Sequence, residues 1–566
     1  MPSLRTRLDG LTGPVRAGLR AVTGGSSRLG AWSRERGVER WLRQVLFVVV
    51  SVILCHLGGA VATSVFPGQA ETDHYRAEAS LNIAPWQTSR LRAFTTVGDT
   101  TIDFRSRIPA PGIEARPQVK MSLLDSVAAE RSQATPQQAL VPSTAEVDQA
   151  ARVLVGSLAV RYLIGALVVA LALIGTQTLH GRKWRLRHVV TPLSAVVVAA
   201  ALTGASCAYV YRPDQVASYK STELLAAVQA SPAVLTQIEE RAGQVGPYIT
   251  NWLTLQRTLQ DRFVTTETTL ADSVRFLLIS DVHGTNEYAV VKKIIQEENI
   301  SAVIDSGDLI NFGQVEEGEL AQVFKGIRVL GVPYLFVDGN HDAASPTDHR
   351  LLDRMAAIPN VYLLQPNDTS YDVISIGGVR VAGLNDPRYY GDDNDPGKVE
   401  KPAAVNFDAS MQGVPDLDLA VVHEPTAAEV VTAGRLRING HMHAAALADR
   451  RIQVGTLTGG GLMSHFRNSL PEDGELGGQP QAFDILRFNA DCTVNSLQRF
   501  VFSDLIEGSP KYDSISVVNG ATLKAPGPSP GRSCTLDGSP LVDTVPARTV
   551  DGGTAVGPAE EQSTPD

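Results

Sequence analysis

Three long apolar stretches constrain this chain more than any other feature, because each is long enough to cross a lipid bilayer. They run over residues 44–66 (QVLFVVVSVILCHLGGAVATSVF), 154–179 and 189–211. A transmembrane helix needs about 20 apolar residues at a rise of about 1.5 Å each. Buried helices of soluble proteins seldom run this long without a polar face. The basic segment before the first stretch is also too long for a cleaved signal peptide. The sequence therefore predicts a membrane protein with three transmembrane helices.

Basic residues beside the spans predict their orientation. Nine arginines lie in the first 43 residues, and Arg182, Lys183, Arg185 and Arg187 crowd the loop between the second and third spans. Loops rich in Lys and Arg stay on the cytoplasmic side. We therefore expect residues 67–153 and everything after 211 to lie outside the cytoplasm. A composition rich in Ala, Val, Gly and Arg is typical of a bacterium with a GC-rich genome, so the predicted location is the plasma membrane.

The net charge and the positions of the cysteines indicate which binding partners and which cellular compartment to expect. The net charge of -10 and the pI near 5.6 give no sign of nucleic-acid binding, which normally shows as a basic face. Cys55 and Cys207 fall inside spans, whereas Cys492 and Cys534 fall in the exported region, where disulfides persist. A Cys492–Cys534 bridge is predicted. The alternative, two unpaired thiols, stays open because sequence does not give the geometry.

The chain divides into several units, since 566 residues exceed one typical domain. Alternating stretches such as AFTTVGDTTIDF predict a small β-containing domain, and runs such as STELLAAVQA are typical of amphipathic helices. Residues 213–268 form either a stalk between membrane and catalytic domain or part of the catalytic domain's own packing. The predicted units are a cytoplasmic basic segment (1–43), the spans (44–66, 154–179 and 189–211), a small extracytoplasmic domain (67–153), a cytoplasmic loop (180–188), a helical linker or stalk (212–270), a catalytic domain (271–505) and a largely disordered Pro/Gly/Ser-rich tail (506–566).

Polar side chains follow a series of apolar strands in the predicted catalytic domain. From about residue 271, short apolar strands alternate with helical segments, which is typical of an α/β sheet covered by helices. RFLLIS runs into DVH, SAVIDS into GD, VPYLFVD into GNHD, DLDLAVV into a histidine, and RLRIN into GHMH. The metal-ligating residue types at these strand ends are Asp281, His283, Asp308, Asn340, His341, His423, His441 and His443.

Spacing and residue type together predict a metal site at these strand ends. Side chains at i and i+2 of an extended chain point to the same side, so Asp281 with His283, and His441 with His443, are expected to converge. A mixed set of nitrogen and oxygen ligands suits Mn, Fe or Zn, and the absence of a motif cysteine argues against a thiolate site.

The ordered series DxH, GD, GNHD, a single histidine and GHxH resembles the calcineurin-like metallophosphoesterase superfamily over about 271–505. The resemblance implies an α/β catalytic domain built as a β-sandwich flanked by helices, in four αββα layers. It also implies hydrolysis of phosphomonoesters or phosphodiesters by a hydroxide activated between two divalent metal ions. By the same resemblance, Asp281, His283 and His443 hold one ion. Asn340, His423 and His441 hold the other, and Asp308 bridges the two.

The resemblance assigns His341 to the substrate phosphate and to protonation of the leaving group. Many members of the superfamily carry GDxxD, whose second Asp orients this histidine, but this chain reads GDLIN and has Asn311 there. An amide carbonyl accepts a hydrogen bond but does not stabilise an imidazolium as a carboxylate does. The sequence therefore leaves the protonation role of His341 open.

Substrate residues are harder to find. The insert at 383–413 is too long for a simple connection, and Arg388, Tyr389 and Tyr390 are candidates to line a substrate pocket, with a solvated loop as the alternative. His465 follows a glycine run that either passes near the metal centre or marks a turn.

Three functions stay open. The first is a membrane-anchored phosphohydrolase that acts outside the cytoplasm on envelope lipids or other exported phosphoesters. The second is an extracytoplasmic phosphatase that scavenges nucleotides, with the spans as a tether. The third is a metal-binding scaffold without turnover, which the complete ligand set disfavours.

Overall fold

Three long helices form the membrane part of the chain. The structure is a computed structural model that describes residues 38–72, 75–119, 144–179, 186–230, 274–461, 479–506, 509–536 and 542–545. The helices are α1 (Val38–Val65), α2 (Thr144–Leu179) and α3 (Leu186–Val210). Each contains a segment long and apolar enough to cross a membrane: Trp41–Val65, Gln149–Gln177 and Leu186–Val210. These segments indicate a membrane location, as the sequence predicts. The predicted segment 1–43 and loop 180–188 lie largely outside the described residues.

The three helices contact one another through small and polar residues. A Cβ atom on Gly165 would lie 2.4 Å from the carbonyl oxygen of Gly58, so α1 and α2 need glycine to approach this closely. His56 Nδ1 of α1 lies 2.9 Å from the Tyr162 hydroxyl of α2 and 3.0 Å from Thr203 Oγ1 of α3. One residue from each helix thus takes part in this polar cluster.

A single sheet of 13 strands continues from the small domain between α1 and α2, called the membrane-proximal domain below, into the catalytic domain. Strand β6 (Val216–Thr222) follows α3 and pairs on one side with β4 (Gly98–Phe104) and on the other with β19 (Ser509–Asn519). In spatial order, and numbered along the chain, the strands are β1 (Gly68–Glu71), β2 (Tyr75–Asn82), β5 (Gly112–Val119), β3 (Arg90–Thr95), β4 (Gly98–Phe104), β6 (Val216–Thr222), β19 (Ser509–Asn519), β18 (Val494–Ile506), β17 (Gln481–Phe488), β7 (Arg275–Ile279), β8 (Ala302–Asp305), β9 (Tyr334–Phe336) and β10 (Val361–Leu363).

A second sheet of seven strands packs against the catalytic part of the first. Phe276 and Leu278 of β7 face this second sheet and share one core with Val381 and Leu419. In spatial order its strands are β15 (Ala446–Ala448), β16 (Arg451–Gln453), β14 (Leu436–Asn439), β13 (Leu419–Val422), β12 (Val379–Leu384), β11 (Val373–Ile376) and β20 (Val542–Val545).

Helices cover the outer face of each sheet. Leu277 and Ile279 alternate along β7 with the residues that face the second sheet, and they pack against α5 (Tyr288–Glu298), as the period of two in a strand requires. Phe407 of α9 (Glu400–Ser410) packs over the second sheet. The structure therefore confirms the predicted sandwich flanked by helices. The helices beyond the membrane part are α4 (Glu223–Ala230), α5 (Tyr288–Glu298), α6 (Val315–Leu320), α7 (Val323–Arg328), α8 (Arg350–Ala356), α9 (Glu400–Ser410) and α10 (Pro425–Val430).

Two predicted segments differ from the structure. The helical stalk predicted at 212–270 begins instead with β6, and only α4 follows as helix before the described residues stop at 230. The tail predicted as largely disordered from 506 contains β19, which pairs along its length with β18 and β6. Strand β6 was missed because its partner β19 lies nearly 300 residues away in sequence, which no local pattern reveals. Strand β19 directly follows its other partner, β18, so this hairpin was a local signal that could have been used.

A disulfide joins Cys492 and Cys534, as predicted, with the two Cα atoms 5.0 Å apart. Both cysteines are fully buried in the core between the sheets. Arg435 Nη1 donates to the carbonyl oxygen of Cys492 at 2.6 Å and to Asp418 at 2.7 Å. The bridge therefore fastens the segment after β19 to the turn between β17 and β18.

Removing this disulfide should lower the melting temperature by about 10 °C. The bridge closes a loop of 42 residues, and in the chain-entropy model a loop of that length stabilises the folded state by about 4 kcal/mol. Thermal melting of the double variant Cys492→Ala/Cys534→Ala measures the effect. Reductant should bring the wild type down to the variant and leave the variant unchanged. A wild type whose melting is insensitive to cleavage of the bond would contradict this expectation.

Candidate metal centre

The predicted ligands lie in turns that directly follow strand ends. Asp281 and His283 come after β7, Asp308 after β8, and Asn340 after β9. β7, β8 and β9 are parallel neighbours, so their carboxyl ends meet at one edge of the sheet. β13 and β14 of the second sheet are also parallel, and they deliver His423 and the His441–His443 pair from across the sandwich.

Five of these residues have left-handed backbone conformations. The φ angles are 54° at Asp281, 49° at His283, 60° at Asp308, 70° at His441 and 56° at His443. Residues other than glycine seldom adopt positive φ, and such strain concentrates at functional sites. The paired ligands therefore do not converge as i and i+2 of an extended strand, which is a correction to the sequence interpretation. Tight left-handed turns bring them together.

Glycines beside the ligands allow the loops to touch. A Cβ atom on Gly339 would lie 2.3 Å from Asp308 Oδ1, and one on Gly440 would lie 1.9 Å from Ser280 Oγ. Only a residue without a side chain fits at these two positions. The glycines of GNH and GHxH are thus required by the packing of one ligand loop on another.

Two groups of side chains come together and share Asp308. Asp281, His283, Asp308 and His443 offer ligand atoms that lie within 4.8 Å of one another, and so do Asp308, His423 and His441. Every one of these side chains is buried or half-buried.

Asn340 belongs to the second group by distance. Its Oδ1 lies 2.9 Å from His441 Nδ1 and 3.2 Å from His423 Nε2. Within the first group, His283 Nε2 lies 3.0 Å from His443 Nε2. The structure therefore assembles all seven predicted ligands.

The donor set fits divalent cations. His283 Nε2 and His443 Nε2 face each other, and both direct lone pairs toward a common point when each neutral ring carries its proton on Nδ1. Asp281 Oδ1 is buried, makes no hydrogen bond of good geometry among the described residues and lies 3.3 Å from His443 Nε2. A buried carboxylate oxygen without a good hydrogen bond is costly, and a cation between the two side chains would offset that cost.

The electrostatics of the site support the same interpretation. Burial lowers the pKa of His283 to about 4, which keeps its imidazole neutral near pH 7, the form that binds metals. Burial opposes ionisation of Asp308, but the neighbouring imidazole of His423 holds the Asp308 pKa below its usual range. Burial also opposes a charged His423, yet Asp308 and Asp281 raise its pKa well above the usual value. The buried carboxylates thus favour positive charge at their centre, which metal ions would supply.

Hydrogen bonds outside the cluster orient its histidines. His423 Nδ1 lies 2.7 Å from the carbonyl oxygen of Ser306, which accepts its proton and leaves Nε2 directed at Asp308. His443 Nδ1 donates to Gln479 Oε1 at 2.8 Å. Partners of this kind fix the tautomer and the ring orientation of metal-binding histidines.

Asp342 holds two of the ligand loops together. Its carboxylate accepts from the backbone N–H groups of Asp308 (2.8 Å), Gly339 (2.8 Å) and Ile310 (3.0 Å). Burial raises the pKa of Asp342 well above its usual value. Asp342, the acid that follows GNH in the sequence, therefore holds the ligand loops in place through their backbone N–H groups.

His341 is oriented by backbone. Its Nδ1 lies 2.6 Å from the main-chain carbonyl oxygen of Asn311, which accepts the ring proton. The Asn311 side chain turns away and donates to the carbonyl oxygen of His283 at 2.8 Å. The acceptor for the His341 ring proton in this chain is therefore a main-chain carbonyl oxygen rather than the usual carboxylate side chain. The sequence alone does not reveal such an acceptor.

The residues suggested for the substrate pocket lie near the site but differ in their contacts. Arg388 Nη1 lies 3.3 Å from Glu400 and 3.7 Å from Glu424, so part of its guanidinium is already paired. The ring that packs against His341 is that of Tyr390, at 5.4 Å between centroids, and Tyr389 precedes it. Roles for Arg388 and Tyr389 in binding stay predictions. His465 lies outside the described residues.

Two residues that contact histidines of the metal centre were not predicted from the sequence. Glu424 Oε1 lies 3.6 Å from His441 Nε2, and its place directly after His423 was a signal that could have been used. Gln479 is 36 residues from His443, its partner, and no pattern marks it.

Replacing Gln479 with alanine should weaken metal binding by about 10- to 100-fold, because His443 loses the acceptor that fixes its tautomer. Competition against a chelator of known affinity measures the change. Gln481→Ala is the matched control, since Gln481 lies two residues on and contacts Glu287 at 3.1 Å instead. Equal metal affinity in the two variants would show that Gln479 does not orient the ligand.

The fold and the site together define a class, a metal-binding α/β sandwich with its ligand clusters at strand ends. Residues 274–445 match the family model described as calcineurin-like phosphoesterase. The chain thus carries a calcineurin-like metallophosphoesterase domain, which confirms the resemblance read from its motifs. All seven predicted ligands and His341 lie within the matched residues.

Comparisons with known proteins add little beyond this family match. A dimetal phosphatase from Danio rerio is 13% identical, with 44% of this chain and 99% of that chain covered at a TM-score of 0.26. A purple acid phosphatase from seeds of yellow lupin (Lupinus luteus) is 14% identical, with 45% and 55% covered at a TM-score of 0.27. Scores this low carry no argument. No curated protein matches the chain.

Proposed function

We propose that this chain is a membrane-anchored phosphoester hydrolase whose catalytic domain holds two divalent cations and lies outside the cytoplasm. The observation that carries the proposal is the pair of buried side-chain clusters that share the carboxylate of Asp308. One cluster would hold a cation through Asp281, His283 and His443. The other would hold a second cation through Asn340, His423 and His441, with Asp308 between the two.

The cations and the side chains divide the work of the proposed reaction. A pair of bound cations would polarise a phosphoryl oxygen and lower the pKa of a water molecule. In the proposed hydrolysis a water molecule would lose one proton to solvent and its oxygen would bond to phosphorus, the bond from phosphorus to the alcohol oxygen would break, and the alcohol oxygen would take up a proton from His341. His341 lies beside the clusters, with its ring centroid 5.1 Å from that of His283, where it can donate a proton to the leaving oxygen.

A direct assay tests the proposal. Purified protein supplied with Mn²⁺ should hydrolyse p-nitrophenyl phosphate or bis-p-nitrophenyl phosphate, and the relative rates will separate monoesterase from diesterase activity. EDTA should abolish the rate and added Mn²⁺ should restore it. No turnover with Mn²⁺, Zn²⁺ or Fe²⁺ would instead support the metal-binding scaffold.

Two observations support the exterior location. Arginines precede the first span and fill the loop between the second and third, and such charges stay in the cytoplasm. The Cys492–Cys534 disulfide lies in the catalytic domain, and disulfides persist chiefly in oxidising compartments. Both observations support an arrangement in which the residues after α3 lie outside the cytoplasm.

A fluorescent protein that matures only in the cytoplasm should stay dark when fused after Asp566. The reporter belongs at this position because a fusion within 494–519 would interrupt paired strands. The same reporter placed between the second and third spans should be bright. Fluorescence from the fusion after Asp566 would overturn the orientation.

A further inference from the structure

A row of five side-chain rings leads from the protein surface into the metal centre. The ring centroid of Tyr390 lies 5.3 Å from that of Phe312 and 5.4 Å from that of His341. The row then enters the ligand cluster, with 5.1 Å from His341 to His283 and 4.9 Å from His283 to His443. Phe312 and Tyr390, called the aromatic pair below, therefore adjoin the histidine that would protonate the leaving alcohol.

The rings of the aromatic pair are large, apolar and exposed. Phe312 is 37% exposed and Tyr390 is 42% exposed. The two rings meet at 83°, the edge-to-face arrangement that aromatic rings prefer. Covering such surface with hydrocarbon removes it from water, which is favourable. An apolar group on the alcohol side of a bound phosphate ester would therefore be stabilised here.

Backbone hydrogen bonds hold the aromatic pair beside His341. The carbonyl oxygen of His341 accepts from the N–H of Gly313, the residue directly after Phe312, at 2.9 Å. The carbonyl oxygen of Ala343 accepts from the N–H of Tyr390, also at 2.9 Å. Both aromatic residues are thus anchored to the segment that carries His341, so a ligand does not have to order them when it binds.

Polar groups of the loop that carries Phe312 are already engaged. The Glu317 carboxylate accepts from the backbone N–H groups of Asn311 at 3.0 Å and Phe312 at 2.9 Å. The side-chain amide of Asn311 donates to the carbonyl oxygen of His283, and its main-chain carbonyl accepts from the His341 ring. These groups are committed to the protein, so the surface suits hydrocarbon better than the hydrogen-bonding edge of a nucleobase.

A second exposed apolar stretch belongs to the loop of His441 and His443. Met442 stands between these two ligands in the chain and is 53% exposed. Strand β15 (Ala446–Ala448) begins three residues after His443, and each of its three apolar residues is exposed. Single exposed apolar residues are ordinary, whereas several in the loops of one site mark a binding surface.

We propose that the aromatic pair binds the hydrocarbon of the leaving alcohol, so that the enzyme prefers phosphate esters of long-chain alcohols, that is, lipid phosphates. The inference rests on the proposed function, because it places the phosphate of the same molecule at the metal clusters. The three candidate spans favour this occupant, since they indicate a membrane location, where such esters reside. Hydrolysis of the ester consumes one water molecule and releases the free long-chain alcohol and inorganic phosphate.

The length of the hydrocarbon chain tests the inference first. Hexyl phosphate and ethyl phosphate have the same reacting atoms and differ only by four methylene groups. Protein loaded with Mn²⁺ should hydrolyse hexyl phosphate with a kcat/KM about tenfold or more above that of ethyl phosphate, because burial of each methylene is favourable. Adenosine 5′-monophosphate should be a poorer substrate than hexyl phosphate. Equal kcat/KM for the two alkyl phosphates, or a higher value for the nucleotide, would overturn the inference.

Variants of Tyr390 connect this preference to the aromatic pair. Tyr390→Ala should lower the ratio of the hexyl to the ethyl kcat/KM at least about fivefold, because the ring surface is lost. Tyr390→Phe should keep the ratio, since the ring and not the hydroxyl covers the hydrocarbon. Trp86→Ala is the matched control, because Trp86 is an exposed aromatic residue of the membrane-proximal domain. An unchanged ratio in Tyr390→Ala, or a lost one in Tyr390→Phe, would overturn the inference. The ratio also cancels any effect of Tyr390 on His341, which acts on both substrates.

Binding without turnover separates this inference from the proposed function. Hexylphosphonate and ethylphosphonate carry a carbon–phosphorus bond in place of the ester bond. Calorimetric titration of the Mn²⁺-loaded full chain in detergent should show hexylphosphonate binding at least about tenfold tighter, a difference that Tyr390→Ala removes and Trp86→Ala keeps. Hydrolysis of p-nitrophenyl phosphate with equal binding of the two phosphonates would overturn the lipid-phosphate preference and leave the hydrolase standing. Tighter hexylphosphonate binding that depends on Tyr390, without hydrolysis of any ester, would support the hydrocarbon site and overturn the hydrolase.

Discussion

Replacing Asp308 with asparagine should lower kcat/KM for an aryl phosphate by about 10³-fold, equivalent to about 4 kcal/mol of activation free energy. Asp308 is the side chain common to both ligand clusters. Its Oδ2 lies 3.2 Å from His423 Nε2 and 3.8 Å from His283 Nε2. An amide oxygen at that position carries no full charge to offset the repulsion between two cations.

Metal content distinguishes this effect from a general loss of structure. Asp308→Asn should bind fewer than two ions per chain, whereas His443→Ala removes a ligand from one cluster only and should keep the other ion. Asp308 Oδ1 also accepts from the His341 backbone N–H at 2.8 Å, and an asparagine in its better orientation preserves that bond. A variant that keeps both ions and near-normal turnover would contradict the bridging assignment.

Replacing His341 with alanine should separate substrates by their leaving groups. We expect an alkyl phosphate to lose about 10²- to 10⁴-fold in kcat, the range typical of general acid catalysis. An aryl phosphate should lose about tenfold or less, because an aryl oxide leaves without needing a proton. Parallel kcat measurements on ethanolamine phosphate and p-nitrophenyl phosphate provide the comparison.

Asn311 gives the matched comparison for His341. Because the main-chain carbonyl of Asn311 orients the imidazole, Asn311→Ala should keep that hydrogen bond and lose only the side-chain bond to His283. The kcat values of Asn311→Ala on the two substrates should therefore fall together, by about tenfold or less, because one hydrogen bond makes a modest net contribution. A leaving-group effect in Asn311→Ala as large as that in His341→Ala would show that the side chain orients the acid.

The side chains that cluster at the site were predictable from sequence, but the geometry of the cluster was not. Each ligand follows an apolar strand, so residue type and order identified all seven side chains that the structure brings together. The left-handed turns at Asp281, His283, Asp308, His441 and His443 had no signal, because these residue types also occur on ordinary strands. Packing between loops overcomes the local preference for negative φ, and that packing is a property of the assembled fold.

The connection between membrane and catalytic domain was also hidden from sequence. The sequence left open a stalk or packing against the catalytic domain, and β6, which follows α3, pairs directly with β19 over five residue pairs. Its other edge pairs with β4 of the membrane-proximal domain. A ladder of hydrogen bonds therefore links the membrane-proximal domain to the catalytic one, which a flexible tether would not provide.

Metal stoichiometry measured together with turnover tests the central claim most directly. Protein stripped with EDTA and titrated with Mn²⁺ should regain hydrolysis of p-nitrophenyl phosphate as the bound metal approaches two ions per chain. Inductively coupled plasma mass spectrometry measures the bound metal. Full turnover in the stripped protein, or two bound ions without hydrolysis of any phosphoester, would contradict a dinuclear hydrolase.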